Sequence, residues 1–93
     1  MVVMCGQIQI YLAESRSLKD KRQVVKSLKE RIRGRFNVAV AEVEFQDLWQ
    51  RSTLGLAAVS NEAEHAGRIL DEAIRFIEQD LRVQVLNCDI EER

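Results

Sequence analysis

The chain has no proline, four glycines and two cysteines among its 93 residues. Cys5 and Cys88 lie far apart in the sequence, so neither a zinc knuckle nor a secreted disulfide framework is indicated. There is also no low-complexity run and no internal repeat, so nothing marks a linker between domains. We therefore expect a single domain over residues 1–93, with both cysteines as reduced thiols that pack as small hydrophobic residues.

Hydrophobic runs long enough to span a membrane are absent as well. The apolar N-terminal segment MVVMCGQIQIYL is shorter than the ~20 residues that a span needs, and it has no basic leader and no cleavage site. The composition, with 46% hydrophobic and 31% charged residues, is typical of a globular domain. We expect a cytoplasmic protein with no membrane partner.

Sequence signatures of catalysis are scarce. The one histidine, His65, has no cysteine or histidine near it to share a metal, and there is no glycine-rich phosphate-binding loop. We interpret His65 as a surface residue of a helix. We expect no enzymatic activity, no metal and no cofactor.

Hydrophobic periodicity predicts four strands and two helices. In order these are strand 2–12, a helix that begins after Ser17, strand 36–45, strand 54–59, a helix that Asn61 caps with Glu64 completing the capping box, and strand 83–90. In the second strand the apolar residues change parity between Val40 and Val43, which indicates a bulge or a strand that is apolar on both faces. The polar residues 46–53 are expected to connect two strands.

The order βαββαβ predicts a ferredoxin-like α+β domain. Right-handed crossovers give a four-stranded antiparallel sheet in the order 4-1-3-2, with two helices on one face. The other face would expose apolar side chains, namely Val3, Cys5, Tyr11, Ala39 or Val40, Val59, and Leu86 or Val85. Since an exposed apolar face commonly marks an association site, we predict a homo-oligomer, most simply a dimer. Cys5 and Cys88 lie on neighbouring strands of this sheet, and whether they meet stays open.

Positive charge is concentrated in one segment. Residues 16–35 hold nine Lys or Arg against two acids, a balance of +7, although the chain has a formal net charge of -1. At helical spacing, five of these cations share one strip of surface: Lys19, Arg22, Lys26, Lys29 and Arg33. Four cations, Arg16, Lys19, Lys21 and Arg22, crowd the N-terminal end of the helix, where the dipole disfavours positive charge. The segment is either a solvated charged face or a site for an anionic partner such as RNA or the ribosome.

Two more residues have alternative interpretations. Lys21 falls inside the apolar face of the helix. Either its stem covers the core while its ammonium emerges at the sheet edge, or the ammonium is positioned beside Ser15 and Ser17 to bind an anion. Trp49, close to Arg51, either stacks a base of single-stranded RNA or packs on the core or in a subunit interface. The candidate anion- or RNA-binding residues are Arg16, Ser17, Lys19, Lys21, Arg22, Lys26, Lys29, Arg33, Trp49 and Arg51.

Three stretches, SLKDKR from Ser17, FNV with AEV from Phe36, and QDLWQR from Gln46, resemble the YlxP-like family, a bacterial family of unknown function. The resemblance covers nearly the whole chain. It implies a ferredoxin-like fold and, in some bacteria, a gene placed among translation-initiation and ribosome-maturation genes. It implies no activity and no catalytic residues. Our first hypothesis is a non-enzymatic binding protein for RNA or a ribosome-associated partner, and the alternative is a homo-oligomeric protein-interaction module that binds no nucleic acid.

Overall fold

The computed structural model describes all 93 residues. It contains the elements β1 (Val2–Tyr11), α1 (Leu18–Arg35), β2 (Ala39–Glu44), β3 (Arg51–Ser60), α2 (Ala63–Glu78) and β4 (Gln84–Glu92). The strands form one antiparallel sheet in the order β2-β3-β1-β4, which is the predicted 4-1-3-2 order read from the opposite edge. The ferredoxin-like prediction is confirmed. Neither helix has the length and the hydrophobicity that a membrane crossing requires.

The core lies between the sheet and the two helices. Alternation in β1 points Ile8 and Ile10 toward the helices, and the 3,4 spacing in α1 points Leu28 and Ile32 back toward the sheet. Fifteen apolar side chains are buried in this layer. Each fully buried Leu or Ile stabilises the fold by about 1.5–3 kcal/mol, so this layer fixes where α1 lies and which of its faces remains in solvent.

The two helices begin differently. Ser17 is the N-cap of α1, and its hydroxyl accepts a hydrogen bond of 3.0 Å from the Asp20 N–H, as predicted. For α2 the prediction was wrong, because Glu62 rather than Asn61 is the N-cap and its side chain makes no capping bond. The Ser60 hydroxyl accepts from the Glu62 N–H at 3.2 Å, so a turn centred on Ser60 delays the start of the helix.

The strand β3 begins earlier than expected. Residues 51–53 were assigned to a connection because they are polar, but Arg51 pairs with Tyr11 and Thr53 pairs with Gln9 in the sheet. Ser52 faces the helices and is fully buried, and its hydroxyl donates a 2.6 Å hydrogen bond to Glu42. A polar residue fits the strand here because it has a buried polar partner.

The sheet face away from the helices, which we call the open face, carries the residues expected from alternation. Val3, Cys5, Tyr11, Ala39 and Val59 lie there, whereas Val40 and Val85 pair with inward-facing Leu56 and Ile10. The register of β2 shifts between Glu42 and Glu44, which confirms the bulge. The bulged Val43 covers Gly55, where an added Cβ would lie only 2.9 Å from Val43 Cγ1.

The two cysteines do not meet. Cys5 pairs with Glu91, while Cys88 pairs with Ile8, so they are offset by an odd number of residues along neighbouring strands. Because side chains alternate between the two faces of a sheet, Cys5 lies on the open face and Cys88 on the helix side. A disulfide between them is excluded by this geometry.

Candidate functional site

A strip of five cations runs along the solvent side of α1, and we call it the basic ribbon: Lys19, Arg22, Lys26, Lys29 and Arg33. Four of these residues are exposed and Lys29 is half-buried. No ribbon cation lies within ion-pair distance of a carboxylate, since the ion pairs of the chain involve other cations. The positive charge of the ribbon is therefore not neutralised by the protein's own acids.

The ribbon lies on the side of α1 that faces the edge strand β2. Arg33 fixes this orientation, because its Nη2 donates to the main-chain oxygen of Val40 at 3.0 Å. On the opposite side of α1, the guanidinium carbons of Arg31 and Arg35 lie 5.1 and 4.9 Å from the centre of the Phe76 ring of α2. Apart from the buried Lys21, the cations of α1 thus divide into the ribbon beside β2, which forms no ion pair, and a packed pair beside α2.

At the start of α1, the hydroxyls of Ser15 and Ser17 already have hydrogen-bond partners within the protein, whereas the side chain of Arg16 has none. The Ser17 hydroxyl is occupied by the Asp20 N–H, and the Ser15 hydroxyl donates to the Ser17 carbonyl at 3.2 Å. Asp20 also accepts from the main-chain N–H of Arg16 at 3.0 Å. The side chain of Arg16 is exposed and forms no ion pair, so it extends the free positive charge beyond the ribbon.

Lys21 takes neither of the two roles considered from the sequence. Its side chain is 0% exposed, so the ammonium does not emerge at the sheet edge. Its Nζ donates to the carbonyls of Phe45, Gln46 and Arg51 at 2.6, 3.1 and 3.3 Å and lies 3.0 Å from Glu42 Oε2. An ammonium has three N–H donors, and four oxygens already surround them. Lys21 therefore has no donor left for an external anion.

Two of the oxygens that Lys21 binds, the carbonyls of Phe45 and Gln46, belong to the connection between β2 and β3, residues 45–50, which we call the Trp49 loop. Further bonds fasten its far end, where Gln50 Nε2 donates to the carbonyls of Ala13 and Ser15 at 3.3 and 3.2 Å. The Leu12 N–H donates to the Gln50 carbonyl at 2.8 Å. One end of the loop is thus tied to α1 through Lys21, and the other end is tied through Gln50 to the segment that leads into α1.

One residue of the Trp49 loop has an unusual backbone. Phe45 has a φ of 63°, in the left-handed region that non-glycine residues seldom occupy. Such a conformation persists only where the surroundings hold it. The 2.6 Å bond from Lys21 to the Phe45 carbonyl and the stacking of the Arg51 guanidinium on the Phe45 ring, 4.9 Å from its centre, supply that support.

The loop presents two large apolar side chains to solvent. Leu48 is 46% exposed and Trp49 is 55% exposed, and residues 47–51 line a shallow depression of about 340 Å³. Trp49 therefore does not pack on the core, whereas a subunit interface, the other part of that alternative, stays a prediction. An interface or a bound ligand remains as the reason for an exposed indole.

Arg51 is less available than its position in the sequence suggested. Its Nη2 donates to Gln9 Oε1 at 3.2 Å, its guanidinium covers Phe45, and its Nε is buried with no hydrogen-bond partner. Arg51 therefore supports the loop from the open face of the sheet. The cations that remain free near the loop are those at the start of α1.

The family described as "Protein of unknown function (DUF503)" matches residues 3–90. The chain belongs to this family. It is 35% identical over 73 residues to "Uncharacterized protein YlxP" of Bacillus subtilis (strain 168), a match that covers 78% of this chain and 79% of the relative. Its fold is similar to that of "De novo designed protein Foldit4", with a TM-score of 0.55 and 14% identity, covering 100% of this chain and 97% of the other. The YlxP-like resemblance is thereby confirmed, and the designed protein supports the fold alone.

The DUF503 description names no activity, and the functional evidence in this family member lies in the geometry of its site. The structure brings together the basic ribbon, Arg16 and the Trp49 loop. It also reveals two residues that were missing from the predicted set, Glu42 and Gln50, which hold Lys21 and the loop. The sequence did indicate a partner such as Glu42, because Lys21 lies in the apolar stripe of α1 and a buried ammonium requires an acid or carbonyl oxygens beside it. Gln50 had no comparable signal.

A second charged cluster in this DUF503 member lies where α1 and α2 end. Asp80 accepts bonds from Arg82 at 2.6 and 2.9 Å and lies 3.8 Å from Arg31 Nη1. The hydrogen bond from Arg82 is the largest cause that lowers the pKa of Asp80, and burial opposes it. The adjacent cavity of about 500 Å³ also includes Arg35 and Phe76. The cations of this cluster already have partners, so we interpret it as structural.

Proposed function

We propose that this protein is a non-enzymatic binding protein of the cytoplasm that uses the basic ribbon to hold the phosphates of an RNA, including RNA in ribosomal particles. One observation carries the proposal. The chain has 15 acidic residues, yet none forms an ion pair with a ribbon cation. Helices whose charges serve only solubility commonly pair them at i,i+4, which stabilises the helix by a few tenths of a kcal/mol.

Placing cations together without partners has an energetic cost that a bound polyanion removes. Lysine and arginine side chains that contact the RNA phosphates displace condensed counterions from the RNA, and the release of those ions makes binding depend on salt. If five cations each meet one phosphate of a single strand, log K changes by about -3.5 per log unit of salt. Affinity then falls about a hundredfold between about 50 and 200 mM salt.

The direct test is a salt titration with a charge-reversed ribbon. The double variant Lys26→Glu/Lys29→Glu removes two ribbon contacts, so we expect at least a tenfold loss of affinity and a salt slope that is shallower by about 1.4. Binding of single-stranded and structured RNA is measured by fluorescence anisotropy. The matched control Arg68→Glu/Arg75→Glu makes the same change in net charge on α2, away from the ribbon. The proposal fails if wild type shows no binding at low salt or if both double variants lose affinity equally.

A second candidate function, a homo-oligomeric protein-interaction module, is favoured by the open face of the sheet. Val43 and Val59 are 43% and 51% exposed there. Between them, small side chains leave a shallow apolar depression of about 280 Å³. Burial of this surface against a second copy would remove apolar area from water without any nucleic acid. The two candidates use different surfaces and can be tested separately.

A further inference from the structure

We propose that the Trp49 loop is a rigid stacking platform for an unpaired base, which makes the site selective for single-stranded over duplex RNA, and that Lys21 is the residue that positions the platform. This inference rests on the proposed function, because the basic ribbon supplies the phosphate contacts. It adds the class of RNA and assigns a role to a lysine that cannot itself touch the ligand.

The Trp49 loop combines a fixed main chain with an exposed aromatic side chain. Surface loops are usually more mobile than the elements that they connect. Here the main chain of the loop is bonded at both ends, by Lys21 to the carbonyls of Phe45 and Gln46 and by Gln50 to the segment before α1. The side chain that this framework presents, Trp49, is nevertheless 55% exposed. Because the main chain that carries this exposed ring is already fixed, a partner that binds the ring pays little entropy for ordering the loop.

The buried Lys21–Glu42 pair that shapes the Trp49 loop costs free energy. Burying the ammonium of Lys21 with Glu42 removes two charges from water, and well-packed apolar residues in place of such a pair are often at least as stable. The main-chain strain at Phe45, with its φ of 63°, adds to that cost. What the pair achieves is a defined shape for residues 45–51, because three of the four oxygens around Lys21 are carbonyls of this segment.

The Trp49 loop lies beside free cations at the start of α1. Gln50 is bonded to the carbonyl of Ser15, the residue before Arg16, and Lys21 precedes Arg22 in the chain. Both arginines are exposed and unpaired. A strand whose phosphates follow the ribbon therefore reaches Trp49 at the start of α1. Arg51 does not compete for this base, because its guanidinium lies on Phe45.

These surroundings favour a single strand over a duplex. In an A-form duplex the bases are stacked inside, and side chains reach mainly phosphates and 2′-hydroxyls. An unpaired base offers its whole face to an indole, and every base has such a face, so the contact tolerates any sequence. A protein partner that inserts into the depression around Leu48 and Trp49 would use the same residues, and the experiment separates that case.

The experiment uses intrinsic fluorescence, because Trp49 is the only tryptophan of the chain. A short single-stranded oligoribonucleotide and a hairpin duplex of the same composition are titrated into the protein. We expect quenching by the single strand and little change with the duplex. Trp49→Ala should lose about tenfold in affinity for the single strand, with an unchanged salt slope, and should bind the duplex as wild type does. The matched control Leu81→Ala removes a fully exposed apolar side chain from the turn before β4 and should change neither affinity.

The role of Lys21 is tested by a double-mutant cycle. Lys21→Met should lose nearly the same factor as Trp49→Ala, and the two losses should not add, because both remove one platform. Circular dichroism checks the fold of each variant. If Lys21→Met does not fold, Gln50→Ala takes its place in the cycle, since it releases the other end of the loop.

Each result has one meaning. Three results would each overturn the platform even when reversal of the ribbon abolishes binding. They are equal affinity for single strand and duplex, additive losses in the double-mutant cycle, and no loss of affinity in Trp49→Ala. If reversal of the ribbon leaves RNA binding unchanged, the proposed function itself fails. If Trp49→Ala weakens self-association measured by light scattering and leaves RNA binding unchanged, the loop is a protein interface and the inference is wrong.

Discussion

At the scale of single residues, Lys21 shows how a buried charge determines local shape. Its ammonium replaces the water that would otherwise solvate the carbonyls of Phe45, Gln46 and Arg51. Glu42 supplies the compensating charge and also accepts from Ser52, so the acid is itself held by a buried partner. A group of this kind stabilises only as long as it is complete, because each member left alone becomes an unsatisfied buried polar group.

The first prediction concerns the stability of a Lys21 variant. Lys21→Met leaves the Glu42 carboxylate and three carbonyls without their donor, so we expect a loss of about 3 kcal/mol in the free energy of unfolding. The exposed Lys26 has no partner, and Lys26→Met should stay within about 0.5 kcal/mol of wild type. Urea unfolding followed by circular dichroism measures both. Equal stability of the two variants would show that the Lys21 bonds contribute little.

The second prediction concerns Asp80 and pH. Arg82 lowers the pKa of the Asp80 carboxyl, mainly through its hydrogen bond, so the charged form is favoured in the folded state. A carboxyl with a lowered folded-state pKa stabilises the protein above its unfolded pKa of about 3.9 and loses that contribution as pH falls through the folded-state pKa. Asp80→Asn should therefore cost about 1 kcal/mol near pH 7, a value discounted because Arg82 is 41% exposed.

Near pH 3 the same substitution should cost less, because the Asp80 carboxyl of the unfolded chain, with a pKa of about 3.9, is then mostly protonated and the unfolded state gains stability relative to the folded state. Urea unfolding at the two pH values gives the comparison. If Asp80→Asn lowers the free energy of unfolding by the same amount at both pH values, the loss comes from packing and not from the charge of Asp80.

At the scale of helices, the two N-termini lead to the third prediction. Ser17 caps α1 through its hydroxyl, whereas the N-cap of α2, Glu62, has the correct extended backbone but makes no side-chain bond. Glu62→Asp retains the acid at the positive end of the helix dipole and shortens it to capping length, so it should stabilise the protein by about 0.5–1 kcal/mol. Ser17→Ala should destabilise it by about 1 kcal/mol. Urea midpoints that move in the same direction for both variants would contradict the assignment of these caps.

The elements also show which features local sequence patterns reveal. The two helices, the bulge at Val43 and the basic ribbon were predictable because each depends on the spacing of residues within one element. The shape of the Trp49 loop was not, because it depends on Lys21 meeting oxygens 24 to 30 residues later in the chain. The early start of β3 was missed for the same reason, since the buried Ser52 is satisfied by a hydrogen bond to Glu42 of the neighbouring strand.

At the scale of the whole molecule, charge is distributed unevenly over the surface. The basic ribbon lies on α1 beside β2, and β4 at the other edge of the sheet carries Asp89, Glu91 and Glu92. Burial raises the pKa of the Cys88 thiol, and the negative charges of Asp89, Glu78 and Asp71 raise it further. A field that is positive on one side attracts a polyanion to that side even though the chain has a formal net charge of -1. The overall charge of a domain is thus a poor guide to what its individual faces bind.

The open face of the sheet leads to the last prediction. Its apolar residues surround Gly55 and Ala57, so a second copy can approach the sheet closely there. We expect wild type to be a dimer in gel filtration coupled to light scattering. Val59→Lys places a charge on this face and should give a monomer, because burying an unpaired ammonium costs more than the apolar contact contributes. Leu81→Lys changes an equally apolar but fully exposed side chain outside the sheet and should remain dimeric.

Dimerisation through the open face leaves the basic ribbon and the Trp49 loop accessible, because the ribbon lies on the helix layer and Trp49 lies in the connection beyond the strands. Val59→Lys should therefore bind RNA with the same affinity per chain as wild type, although a dimer presenting two sites binds a long RNA more tightly through avidity. Anisotropy with a short and a long single strand distinguishes the two effects. A wild-type monomer at the highest attainable concentration, or a Val59→Lys dimer, would place any association elsewhere on the molecule.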